Sequence, residues 1–127
     1  MIRPTGPRPG AFARAALCLL ATLPGLASAQ TYPSKPVQLI VPFSAGGDAD
    51  MAARNLAAAA QALVGQPLVV VNKAGANGAI GSAAVKAAAP DGYTLLVGRI
   101  GSQVLLPALQ PKTTPYTSKD FTYIGLL

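Results

Sequence analysis

Val41-Pro42-Phe43-Ser44-Ala45-Gly46-Gly47-Asp48-Ala49-Asp50 closes an apolar run, Val37 to Val41, and opens an alanine-rich stretch that reaches Leu63. A buried strand thereby delivers a glycine pair to a helix N-terminus. Unpaired backbone N–H groups and the helix dipole at such a terminus favour an anion. Gly46-Gly47 lets the backbone approach a ligand closely, although a plain strand-to-helix turn uses glycines in the same way. Asp48 and Asp50 both stand near the helix start. Asp48 is expected to cap the helix, and Asp50 with Arg54 makes an i,i+4 ion pair of ~0.3–0.5 kcal/mol if exposed. No second acid, base or nucleophile accompanies these carboxylates in sequence, so the pattern points to holding an anion rather than transforming it.

A second glycine series, Gly75-x-x-Gly78-x-x-Gly81, follows another apolar run. It invites a dinucleotide reading, but that fingerprint is Gly-x-Gly-x-x-Gly, and the first two glycines here are mis-spaced. Arg99 stands at the end of the next apolar run, where an acidic residue would meet a ribose, and could imitate a phosphate-selective variant. Its other two readings are a bidentate grip on a ligand carboxylate and simple solvation at the loop edge. The solvated reading is favoured, because most charged side chains remain exposed. Tyr93 and Phe121 are expected to be packing residues.

The 127-residue chain has no histidine and one cysteine, Cys18. The usual neutral-pH acid–base group and commonest metal ligand is therefore absent. Arg3, Arg8 and Arg14, the apolar Ala15 to Leu23, and Ala27-Ser28-Ala29 read as a cleaved secretory signal over residues 1–29. Pro24-Gly25 stops the apolar run short of the ~20 residues a membrane-spanning helix needs. Cys18 lies within that signal, so no disulfide or thiol chemistry is expected afterwards. In the remainder, Arg54, Arg99 and five lysines stand against four aspartates, a net charge of +3. The lysines are scattered singly, without a stripe of interleaved aromatics, so nucleic-acid binding has little support.

The elements that must position these residues alternate. Tyr32-Pro33-Ser34-Lys35-Pro36 is an extended lead-in. Strands are predicted at Val37–Val41, Leu68–Val71 and Tyr93–Val97. Helices are predicted from Asp48 to Val64, with Ala52, Leu56, Ala59 and Leu63 on one face and a stop at Gly65, and from Gly81 to about Ala89. Phe121 to Leu127 reads as the start of a further strand. The β-α-β-α-β order predicts a parallel α/β sheet with right-handed crossovers. Three loops then lie at the carboxyl ends of three strands, where open α/β sheets bind ligands. If the first strand lies between the other two, two helix N-termini converge on one crevice.

The same residues resemble the receptors of tripartite tricarboxylate transporters, the Bug family of solute-binding proteins. The ordered match includes Tyr32 to Pro36, Val41-Pro42-Phe43 with Gly46-Gly47-x-x-Asp50, Ala53-Arg54, and Gly65-Gln66-Pro67. It continues through Asn72-Lys73-x-Gly75-Ala76-x-Gly78-x-Ile80-Gly81, Pro90 to Leu96, and Lys119-Asp120-Phe121. The resemblance implies a periplasmic, two-lobed receptor of the type II periplasmic-binding-protein fold. Such a receptor closes on a small carboxylate-bearing solute and delivers it to membrane transporter subunits, without cofactor, metal or catalysis, and as a monomer when full length. Family members hold a carboxylate through backbone groups and waters of the first two loops. Carried over, this assigns Phe43, Ser44, Ala45, Gly46, Gly47 and Asp50, then Ala76, Asn77, Gly78 and Ala79, with Ser102 where the family often has threonine.

Arg99 departs from the small or hydroxyl residue usual in the family, and Leu106 replaces the asparagine that often precedes the equivalent of Pro107. Two lobes of ~100–150 residues each exceed this length. The expectation is therefore part of a first lobe over residues 30–120, with residues 121–127 leading toward a second. Two alternatives stand beside the receptor: an NADP-binding Rossmann-like half of an enzyme, and a truncated remnant without binding activity.

Overall fold

Four of the five residues of β1 (Val37–Val41) are buried, as expected of a strand covered on both faces. The computed structural model describes residues 31–126. The expected signal segment, with Cys18, lies outside the described residues. β1 is the middle strand of a three-stranded parallel sheet, with β2 (Leu68–Asn72) on one side and β3 (Thr94–Leu96) on the other. Val37 pairs with Leu68 and Val41 with Asn72, while Gln38 to Ile40 pair with Thr94 to Leu96. The ladder continues beyond β3 at both ends: Gln38 N–H donates to the Tyr93 carbonyl (2.8 Å), and Val97 N–H to that of Ile40 (2.9 Å).

α1 (Asp48–Val64) connects β1 to β2, and α2 (Ala79–Lys86) connects β2 to β3. The first crossover moves one way along the sheet and the second moves back across β1. Right-handed connections then put the two helices on opposite faces. Val41, Ala49 and Ala53 form a buried cluster, against which Phe43, Val70 and Val97 pack. α1 ends where expected, at a left-handed Gly65 whose N–H donates to the Gln61 carbonyl.

Two expectations are corrected. The buried residues of α1 are Ala49, Asp50 and Ala53, whereas Ala59 and Leu63 of the expected face are exposed. An alanine-rich helix has little amphipathic asymmetry of its own, so the contacts of Asp50 set its rotation. α2 stops at Lys86 rather than about Ala89. Phe121 is extended (φ −121°, ψ 143°) and packs edge-on against Tyr116, and residues 121–126 pair with no strand among the described residues.

After β3 the chain forms a π-helical turn (Gly101–Leu105) that runs directly into α3 (Leu106–Leu109).

Candidate functional site

The loop after β1, the loop after β2 and the turn after β3 meet at one end of the sheet. Their meeting point is Gly78. A Cβ placed there would lie 2.8 Å from Ser102 Cβ and 3.4 Å from Phe43 Cζ. One backbone atom set from the second loop thus sits between a ring of the first and a side chain of the third. Strand order reverses at β1, so this is the topological switch point at which open α/β sheets bind ligands.

The first loop is held from below. Asp50 is 2% exposed and accepts hydrogen bonds from Gly46 N–H (2.8 Å), Arg54 Nε (3.0 Å) and Asn72 Nδ2 (2.9 Å). Asn72 also donates to the Phe43 carbonyl (3.2 Å). Arg54, foremost, with Gly46 and Asn72, holds the Asp50 carboxyl well below the usual carboxylate range. The expected i,i+4 pair therefore exists, with its acid buried and its base half exposed. Ser44, Ala45, Gly46 and Gly47 are exposed above it, Phe43 is half buried, and Asp50 faces inward.

α1 begins without a side-chain cap. Gly47 is its N-cap residue, and no side chain bonds the first turn from there. The expected capping role of Asp48 is thus corrected: its Oδ1 accepts from the adjacent Ala49 N–H (2.9 Å) and pairs with Arg99 Nη2. Asp48 lies one position too far along to cap.

In the second loop Gly75, Ala76, Asn77 and Gly78 all have positive φ, at 134°, 46°, 53° and 93°. Left-handed backbone costs roughly 1–2 kcal/mol at a residue with a side chain, and such strain concentrates at ligand clamps and switch regions. Gly78 N–H donates to the Gly75 carbonyl (3.0 Å) and closes the turn. Ala76 and Asn77 are exposed, while Ala79 is half buried as α2 begins. These three residues line a hollow of about 170 Å³ with Leu106, Gln110, Thr113 and Thr114. Ligand pockets usually enclose ~300–1,000 Å³, so this is a shallow wall.

Ser102 is 1% exposed. Its Oγ accepts from Arg99 N–H (3.3 Å) and donates to the Arg99 carbonyl (3.1 Å), while Tyr116 Oη donates to the Ser102 carbonyl (2.6 Å). Gln103 Nε2 donates to Ser82 Oγ (2.7 Å), joining the third loop to α2. Arg99 is not simply solvated: its guanidinium lies 5.1 Å above the Phe43 ring centroid and pairs with Asp48.

Sequence reasoning missed Asn72, Gln103 and Tyr116 as organisers of the loops. An amide at the last residue of an apolar run was the available signal for Asn72. Nothing in sequence marked the other two. Among the described residues, no group of three His, Cys, Asp or Glu side chains could hold a metal ion, and no helix is long and apolar enough to cross a membrane.

A three-stranded parallel sheet flanked by helices, with its loops converging at the switch point, is an α/β unit of the periplasmic-binding-protein kind. Residues 52–127 match the profile of the tripartite tricarboxylate transporter family receptor, and the chain belongs to that family. It is 46% identical over 89 residues to Protein BugT of Bordetella pertussis, covering 70% of this chain and 27% of BugT. A solved periplasmic transporter superposes with a TM-score of 0.66 at 45% identity, covering 68% of this chain and 29% of the other. MatC from Rhodopseudomonas palustris, solved with bound malate, does so with a TM-score of 0.68 at 40% identity, covering 72% and 31%. The chain spans less than a third of the length of each of these proteins.

Proposed function

We propose that this chain forms one wall of an extracytoplasmic receptor that captures a small carboxylate-bearing solute and passes it to membrane transporter subunits. One observation carries the reading: at the switch point, three loops converge beside a helix start whose N-cap residue, Gly47, brings no side chain to it. The first turn of α1 already holds one carboxylate, that of Asp48, on the Ala49 N–H, and a solute carboxylate would use the same kind of donor. Ser44 to Gly47 of the first loop, Ala76 to Ala79 of the second, and Phe43 beneath them supply backbone and surface to the solute. Asp50 and Ser102 act through the loops they pin. The malate held by MatC supports a carboxylate as the ligand class. The reading includes export through a cleaved signal over residues 1–29, a monomeric receptor, and binding without chemistry, cofactor or metal.

The dinucleotide alternative loses its support at the same residues. Gly78 separates Phe43 from Ser102, and Gly81 lies against Pro42, so these glycines serve packing. Arg99 is engaged with Asp48.

Thermal unfolding of the full-length protein tests the receptor reading against a panel of mono-, di- and tricarboxylates. A ligand at about 100 times its Kd stabilises the folded state by about 2.7 kcal/mol, so at least one panel member raises the melting temperature saturably. A panel without effect refutes the reading.

A further inference from the structure

Arg99 combines a fixed root with an exposed head. Its backbone N–H and carbonyl are both bonded to the buried Ser102 Oγ, whereas its side chain is 42% exposed and reaches across the switch point to α1. There Nη2 meets Asp48 Oδ1, while the guanidinium stays over the Phe43 ring. The same Asp48 oxygen accepts the Ala49 backbone N–H (2.9 Å). A guanidinium and a first-turn N–H of α1 thus already hold a carboxylate together, and that carboxylate is 81% exposed. The arrangement is an anion subsite whose present occupant is the chain's own side chain.

Resting on the receptor reading above, we propose that Arg99 sets charge selectivity at this site: a second carboxylate of a dianionic solute takes the place of Asp48 on Arg99. Exposed ion pairs are weak and salt-screened, so Asp48 is readily exchanged. A guanidinium offers five N–H donors in a planar fork that matches a carboxylate. It can therefore grip the incoming group with two bonds where the described contact with Asp48 uses one nitrogen. Stacking on Phe43 keeps the fork in place during the exchange. Asp48 acts as a competitor that disfavours neutral and monoanionic solutes too weak to displace it.

Calorimetric titration of the full-length protein with succinate and butyrate tests this, since the two differ by one carboxylate. Wild type is expected to prefer succinate. Arg99→Gln lowers succinate affinity by about tenfold or more and changes butyrate affinity by no more than about twofold. Asp48→Asn acts in the opposite direction and raises succinate affinity. Arg99→Lys recovers only part, because an ammonium lacks the fork. Equal losses for both probes in Arg99→Gln, a wild type that prefers butyrate, or an Asp48→Asn variant that binds succinate less tightly would each overturn the role of Arg99 while leaving the receptor reading intact. A wild type that binds neither probe nor any member of the carboxylate panel overturns the receptor reading, and this proposal with it.

Discussion

Asn72 donates one amide hydrogen bond to Asp50 Oδ1 (2.9 Å) and another to the Phe43 carbonyl (3.2 Å). Asn72 is the last residue of β2 and pairs with Val41, the last of β1. One side chain at the sheet's edge therefore fixes both the departure of the first loop and the helix that follows it. The exposed backbone of Gly46 and Gly47 is held in shape without a side chain having to enter the crevice.

The Asp50 cluster predicts a pH dependence. Hydrogen bonds from Arg54, then Gly46 and Asn72, depress the Asp50 pKa below its unfolded value of about 3.9. Its stabilising contribution is complete above that unfolded value and is lost as pH falls toward the folded one. Asp50→Asn is expected to melt below wild type at pH 7, with the gap narrowing progressively on acidification below about pH 4. Asp120, lowered in the same direction chiefly by the Thr117 N–H, remains in both proteins, so the difference isolates Asp50. A gap that stays constant down to the acid transition would contradict this assignment.

Gly81 tests close approach between α2 and the residues that follow β1 and β2. A Cβ there would meet Pro42 Cβ at 2.7 Å and both Lys73 O and Pro42 Cα at 2.8 Å. Alanine normally gains about 1 kcal/mol over glycine inside a helix, but overpacking costs about 1–3 kcal/mol. Two of these neighbours are backbone atoms that cannot swing aside. Gly81→Ala is therefore destabilising in urea unfolding. Gly101→Ala is the control, because its Cβ would meet nothing within 4 Å, and it should be neutral or stabilising.

Tyr116→Phe removes the donor to the Ser102 carbonyl and keeps the ring that packs on Phe121. Tyr116 is 2% exposed, so the carbonyl loses its partner in a dry setting. The expected loss is about 1–2 kcal/mol of unfolding free energy, with an unchanged denaturant slope. A loss below about 0.3 kcal/mol would show that this bond does not hold the third loop.

The strands and first helix were readable because their signals are local. Val37–Val41 is an apolar run between Pro36 and Pro42, Leu68–Val71 is one that follows Pro67, and α1 lies between a glycine pair and Gly65. The candidate loops were readable for the same reason, since strand-to-helix glycines mark where the backbone lies open. The ordered motifs identified the family because each has a local shape and all occur in one sequence.

Relations between distant residues were decided only by the tertiary structure. The face of α1 depends on Asp50 finding Asn72, 22 positions away, and an alanine-rich helix has no stripe strong enough to announce it. Capping is a local expectation for Asp48, whereas its pairing with Arg99 reaches to the loop of another strand. Ser102 and Tyr116 meet across 14 residues through a backbone carbonyl, a group that every residue has and no side-chain pattern reveals. Periodicity and turn chemistry act over a few residues, and so specify the elements. Strand order, helix rotation and the convergence of three loops follow from burial and hydrogen bonding between segments, and those energies exist only once the segments are together.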